Sequence, residues 1–147
     1  MNDYTSIDEA RAAARAKYEA DHPVPTKPTL GVLERAQVVR VGTGRLWLEV
    51  EPRYSYRAEP EVNLHFTGRN DSNAITLEEV EALIAQLHSA RHNYDAMIEN
   101  NRLEREYNEA LKRWEEARDK AERRAIAAFK KAKDQATVSG KENEELA

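Results

Sequence analysis

His88 and His92 stand four residues apart in "HSARH", the spacing that lets two imidazoles on one helix face share a metal ion. Asp95, one turn further on, is placed to add a third ligand. The zinc-protease signature HExxH needs a glutamate after the first histidine, and Ser89 stands there instead. By helical angle the two histidines lie well off the apolar stripe of their segment. The plainer account, two solvated histidines on an acidic helix, is preferred, and neither a metal nor a cofactor is expected.

A second group joins Trp47, Tyr54 and Tyr56 to Arg45, Arg53 and Arg57, an aromatic-plus-arginine set of the kind on which nucleobases stack. Glu49, Glu51, Glu59 and Glu61 are interleaved with it and cancel the positive field that a nucleic acid would need. A protein contact or a second small core suits the aromatics better. The third group is "RRAIAAFKKAK", in which Arg123, Arg124, Lys130, Lys131 and Lys133 flank Ile126 and Phe129. Those cations fit an acidic partner or a nucleic acid, but cations also simply suit a helix C-terminus. No Ser/His/Asp grouping, phosphate loop or pair of carboxylates in an apolar setting can be assembled from spacing. The expectation is a protein that is not an enzyme.

Composition bounds what carries these residues. The chain has 147 residues, 34% of them charged, few glycines or prolines, and a formal net charge of −4 at pH 7. That suits one modest, helix-rich domain and disfavours salt-driven binding to nucleic acid. The chain has no cysteine, which removes disulfides, thiolate metal sites and Cys nucleophiles. No apolar run approaches a membrane span, and the first ten residues, "MNDYTSIDEA", lack a signal-type apolar stretch. A cytoplasmic location without membrane contact is expected.

The elements follow from local chemistry. Residues 1–21 hold a short alanine-rich helix, with Ser6 and Glu9 at capping-box spacing. Its apolar positions, Ile7, Ala10, Ala14 and Tyr18, are small, so weak docking is expected. Residues 22–29 contain "HPVPTKP", a proline-rich linker. Residues 30–99 should form a sheet-plus-helix domain. Within it "AQVVRV", "GTG" and "RLWLEVE" read as a hairpin, with Leu46, Leu48 and Val50 on one face and Arg45, Trp47, Glu49 and Glu51 on the other. "EVNLHFT" repeats the alternation with Val62, Leu64 and Phe66 inward, and "PRYSYRAEP" is an extra strand or a wide loop. A sheet this small needs a cover. The segment from Thr76, with its Thr76/Glu79 capping box and Ile75/Val80 staple, supplies an apolar stripe of Leu77, Val80, Leu83, Ile84, Leu87, Tyr94, Met97 and Ile98 to pack on it.

Beyond Arg102 a second stripe begins. Leu103, Tyr107, Ala110, Trp114, Ala117, Ala121, Ala128 and Ala132 follow a 3-4 spacing, through a charged helix over residues 100–135. Residues 136–147 are polar and expected to lack regular structure. At roughly 100° per residue, the first stripe centres near about 280° from Leu77 and the second near about 100°. The apolar side therefore jumps to the opposite face at "MIENNRLEREY". Either the chain turns at Glu99–Asn101 and folds back as a hairpin, or one helix of nearly 60 residues runs through. Asn101 with Glu104 has cap spacing and leans the choice to the turn, whereas Glu99/Arg102 would be an ordinary pair in the continuous helix.

The block "LERAQVVRVGTGRLWLEVE", "VNLHF" and "AITLEEVEALIAQL" resembles small accessory proteins of actinobacterial phages, in which short strands precede an "LT-E-x-x-x-L" helix. The resemblance covers about Leu30 to Leu87 and implies a host-directed or virion-assembly protein that acts by binding, in the host cytoplasm. Together these features predict an α+β protein: a three- to four-stranded antiparallel sheet packed on a helix, with a long charged helical arm or hairpin. The expected function is non-enzymatic protein–protein interaction. Self-association and contact with another protein are assigned to Leu103, Tyr107, Trp114, Ala121, Phe129, Trp47, Tyr54 and Tyr56. The alternative is a nucleic-acid-associated regulator using Arg123 to Lys133 together with the aromatic sheet face of Trp47, Tyr54 and Tyr56.

Overall fold

The computed structural model describes residues 4–52, 59–68 and 75–146. It is α+β, in the order α1 (Ile7–Asp21), β1 (Val39–Val41), β2 (Gly44–Glu51), β3 (Glu61–Thr67) and α2 (Leu77–Glu145). Two compact units emerge, residues 27–106 and residues 1–26 with 107–147. Tyr54 and Tyr56, and most of the candidate extra strand, lie outside the described residues.

In the first unit the three strands are antiparallel in the order β1-β2-β3. The hairpin between β1 and β2 turns at Gly42, whose φ of 61° is a left-handed value that a side chain would strain. Register pairs Leu46 with Phe66, Leu48 with Leu64 and Val50 with Val62, so the expected apolar face is assembled. Gly44 lies under the Phe66 ring, where a Cβ would come within 2.6 Å of a ring carbon. On the other face Trp47 is paired with His65 and Glu49 with Asn63.

α2 starts as expected, with the Thr76 hydroxyl accepting the Glu79 N–H at 3.1 Å. The return half of the capping box is not made, because Glu79 Oε2 has no hydrogen-bond partner. At "MIENNRLEREY" the helix does not break, and this corrects the preference for a turn. Arg102 bridges Glu99, through Nε at 2.9 Å, and Glu106, through Nη1 at 2.6 Å, tying the turns on both sides together. The helix also runs to Glu145, through residues expected to be irregular.

The covered side of α2 in this unit is the polar one. Asn100 accepts the Gly31 N–H at 2.7 Å and donates to the Gly31 carbonyl at 2.9 Å. Asn93 repeats this with Glu34, at 2.7 and 2.8 Å. Ser89 adds a 2.6 Å bond to the Glu34 carboxylate. Residues Gly31 to Val38 thus form a strap, irregular by backbone pattern, in which the N–H and C=O groups of Gly31 and Glu34 are satisfied by side-chain amides in place of a neighbouring strand. Seven helical residues rise about 10.5 Å. Three residues of polyproline-type chain span about 9–10 Å. The two spacings match, so amides at heptad positions meet every third strap residue, running antiparallel. Gln86, the next heptad position, is 3% exposed and lines one cleft with Gln37, the next strap position in steps of three.

β1 follows the strap. Val38 and Val39 line a cleft together with Thr76, Glu79, Ala82 and Gln86, so the β1 edge of the sheet meets the first turns of α2. The β3 row does not share this cover: Val62, Leu64 and Phe66 remain about half exposed or more. Most of the stripe on α2 is open as well, with Leu77 at 73% and Leu87 at 59% exposure, although its Met97 is buried. The expected burial of one apolar row against the other is therefore corrected. The strap has taken the helix side bearing Gln86, Ala90, Asn93 and Met97, all buried, about 100° round from the Leu77 stripe by helical angle.

In the second unit α1 and the later part of α2 are paired. Ser6 caps α1 by accepting the Glu9 N–H at 3.2 Å, and the Glu9 carboxylate accepts the Thr5 N–H and hydroxyl at 2.8 and 2.7 Å. The reciprocal bond therefore falls one residue earlier than the simple capping box. Arg15 Nε lies 2.7 Å from Glu122 Oε1, and Trp114 Nε1 donates to the His22 carbonyl at 2.7 Å. The two helices are antiparallel. By that register Ala10, 1% exposed, comes level with the turn of α2 that carries the half-buried Ala125, Ile126 and Phe129.

Candidate functional site

Three surfaces carry the residues singled out from sequence. The first is the second stripe of α2. Trp114 is held on three sides: its indole N–H binds the His22 carbonyl, Tyr18 lies 5.8 Å away ring to ring, and Arg118 sits 5.3 Å over its face. His22 itself stacks on Tyr18 at 4.4 Å. Glu122, 9% exposed, is flanked by Arg15 and Arg118, and its hydrogen bond raises the pKa of Arg15. Over this section the partner that the stripe requires is α1 of the same chain. Leu103, Tyr107, Ala121 and Phe129 are half-exposed. Arg123, Arg124, Lys130, Lys131 and Lys133 are exposed along the same helix.

The second surface is the open apolar stripe at the start of α2. Leu77, Val80, Ile84, Leu87, Arg91, Tyr94 and Ile98 alternate steps of three and four, the a/d rhythm of a coiled-coil seam. Leu77, Ile84, Leu87 and Ile98 are all exposed by more than two-fifths. Arg91 pairs with Asp95 at 3.1 Å, and the Tyr94 hydroxyl donates to Glu59 at 3.3 Å. Desolvation, with the Glu59 carboxylate beside it, raises the Tyr94 pKa. This stripe was legible as apolar but was assigned to the sheet rather than to a partner.

The third surface is the polar face of the sheet. Trp47 stacks on His65 with ring centroids 5.0 Å apart and planes 11° apart. His65 Nε2 lies 3.5 Å from Glu49 Oε2, and Asn63 Nδ2 donates to Glu51 at 2.8 Å. Glu49, Glu51 and His65 bring one ligand atom each within 4.8 Å of one another. Among the described residues this is the group of three that has metal-ligand character, and it does not include His88 or His92, which are exposed on α2. The signal was present in the register: Glu49 and Glu51 share a face, and His65 is on the neighbouring strand.

Comparison with protein-family models, curated proteins and solved structures finds no match to this chain. Among the described residues no helix is long and apolar enough to cross a membrane.

Proposed function

We propose that this is a non-enzymatic interaction protein that self-associates through the seam from Leu77 to Ile98. The observation that carries the proposal is that an a/d stripe lies open on a helix whose covered side, held by Asn93 and Asn100, is a different one about 100° round. The occupant is a second copy. An apolar heptad row is its own complement, so a two-fold pairing of the same stripe can bury it. Arg91 sets the direction. In a parallel pair it would face its own copy, whereas an antiparallel pair places it against Val80 of the other copy, where its aliphatic stem packs. Leu77 then faces Tyr94 and Ile84 faces Leu87.

This moves the self-association surface from the Leu103–Ala132 stripe, where α1 already covers Trp114, to the earlier one. The open row of Val62, Leu64 and Phe66 is the proposed contact for another protein, and a phage accessory role is the setting implied by the resemblance. The nucleic-acid alternative gains no support beyond the exposed cations from Arg123 to Lys133.

Because the chain has no cysteine, single cysteines report orientation cleanly. On mild oxidation Leu77→Cys should stay unlinked, while an equal mixture of Leu77→Cys and Tyr94→Cys should form the mixed disulfide. Linking of Leu77→Cys to itself would contradict the antiparallel arrangement, and no linking in any mixture would contradict the seam.

A further inference from the structure

The polar face of the sheet offers donor atoms that the interaction function does not use. We propose that Glu49, Glu51 and His65 form a binding site for a first-row divalent cation such as Zn²⁺ or Ni²⁺. Four observations converge on it. One carboxylate oxygen from Glu49, one from Glu51 and a ring nitrogen of His65 already lie within 4.8 Å of one another. His65 Nε2 is shut from water and has no hydrogen-bond partner, and Glu49 Oε2 at 3.5 Å is too far for a good one. An imidazole nitrogen beside two carboxylates, with no hydrogen-bond partner of its own, is a set of donor atoms that a cation can bind.

The other two observations concern what holds the ligands. Trp47 stacks flat on the His65 ring and fixes its plane, and Asn63 anchors Glu51 through the 2.8 Å bond to Oε2, leaving its other oxygen for a metal. Supporting contacts of this kind orient ligands and raise affinity. Strand geometry does the rest. Glu49 and Glu51 are two apart on β2 and so point to one face, and Trp47 is opposite His65 on β3, which sets His65 diagonal to Glu49.

In a tetrahedral site with bonds of about 2.1 Å, ligand atoms are about 3.4 Å apart. His65 Nε2 and Glu49 Oε2, 3.5 Å apart, already meet that spacing, and since all three atoms lie within 4.8 Å the rest of the trio closes by at most about 1.4 Å, within reach of a carboxylate rotation. Three protein ligands, one nitrogen and two oxygens, leave a position for water. That set suits borderline cations and disfavours Ca²⁺, which takes six or more oxygens.

Trp47 makes the site readable. Ni²⁺ quenches a neighbouring indole, and the chain has two tryptophans, of which only Trp47 stacks on the site. Titration of the full chain with Ni²⁺ should give a saturable loss of about the Trp47 share of emission. Trp47→Phe should lose the signal, and His65→Gln should lose the saturable phase while keeping the far-ultraviolet spectrum. Asn63→Ala should weaken binding about tenfold, as for other groups that orient a ligand. The double variant His88→Gln/His92→Gln should titrate as the wild type does. Non-saturable quenching, or a curve unchanged in His65→Gln, would mean that His65 and Glu49 form only an ion pair. A curve lost in the His88/His92 variant would place the metal on α2 instead. Either result overturns the proposal.

Discussion

Asn100 holds Gly31 by both of its backbone groups, accepting the N–H at 2.7 Å and donating to the C=O at 2.9 Å. An amide side chain carries a donor and an acceptor side by side, so it can do both at once. It takes the place that a neighbouring strand would take, and it explains why asparagine sits inside an unbroken helix. Asn100→Ala leaves two strap groups to find water. It should cost about 1–2 kcal/mol of unfolding free energy by denaturant titration. Hydrogen exchange at Gly31 should speed up with it. Asn101→Ala, one residue on, should cost far less, and equal losses at both positions would refute the clamp.

The docking of α1 depends on Trp114. Trp114→Phe keeps most of the packing and loses the bond to the His22 carbonyl, so about 1 kcal/mol should go. Trp114→Ala also opens a cavity beside Tyr18, and about 3 kcal/mol should go. Limited proteolysis should then cut within residues 7–21. If Trp114→Ala leaves α1 as resistant as the wild type, the pairing seen here does not hold α1 in place.

The Glu99 carboxylate is held below its ordinary pKa by hydrogen bonding to the Arg102 guanidinium. A carboxylate with a lowered folded pKa contributes stability above its unfolded pKa, about 4.3, and loses it as pH falls through the folded value. Helix melting followed by circular dichroism should therefore show an acid-side loss below about pH 4.3 in the wild type. Glu99→Gln should be the less stable protein at pH 7 and should show less of that loss. An identical acid limb in both would remove Glu99 from the account.

The caps, the hairpin and the α+β class were readable because each depends on neighbours in sequence: Ser6 with Glu9, Thr76 with Glu79, Gly42 between two alternating runs. The strap was not, because backbone groups carry no residue code and "LGVLERAQ" has no period of two or 3.6. A signal existed on the helix side, where Gln86, Asn93 and Asn100 recur at seven while Gly31, Glu34 and Gln37 recur at three. Reading apolar stripes alone puts the wrong face of α2 on the inside. The half-turn jump at "MIENNRLEREY" then had a second solution: two open stripes on one helix, the later one partly covered by α1.

The glutamates of β2 illustrate a different limit. In the sequence, Glu49 and Glu51 read only as charges that cancel arginines. The pairing of β2 with β3 sets them beside His65, which only the register makes visible.

The central claim is that the seam from Leu77 to Ile98 joins two copies. Sedimentation velocity of the wild type and of Leu87→Asp, from about 1 to 100 μM, tests it most directly, because an association constant appears as concentration dependence. The account predicts that the wild type shifts from monomer toward dimer across that range. Leu87→Asp, an exposed position whose substitution leaves the fold intact, should remain monomeric throughout. A wild type that stays monomeric at the highest concentration, or a dimer that survives Leu87→Asp, would contradict it.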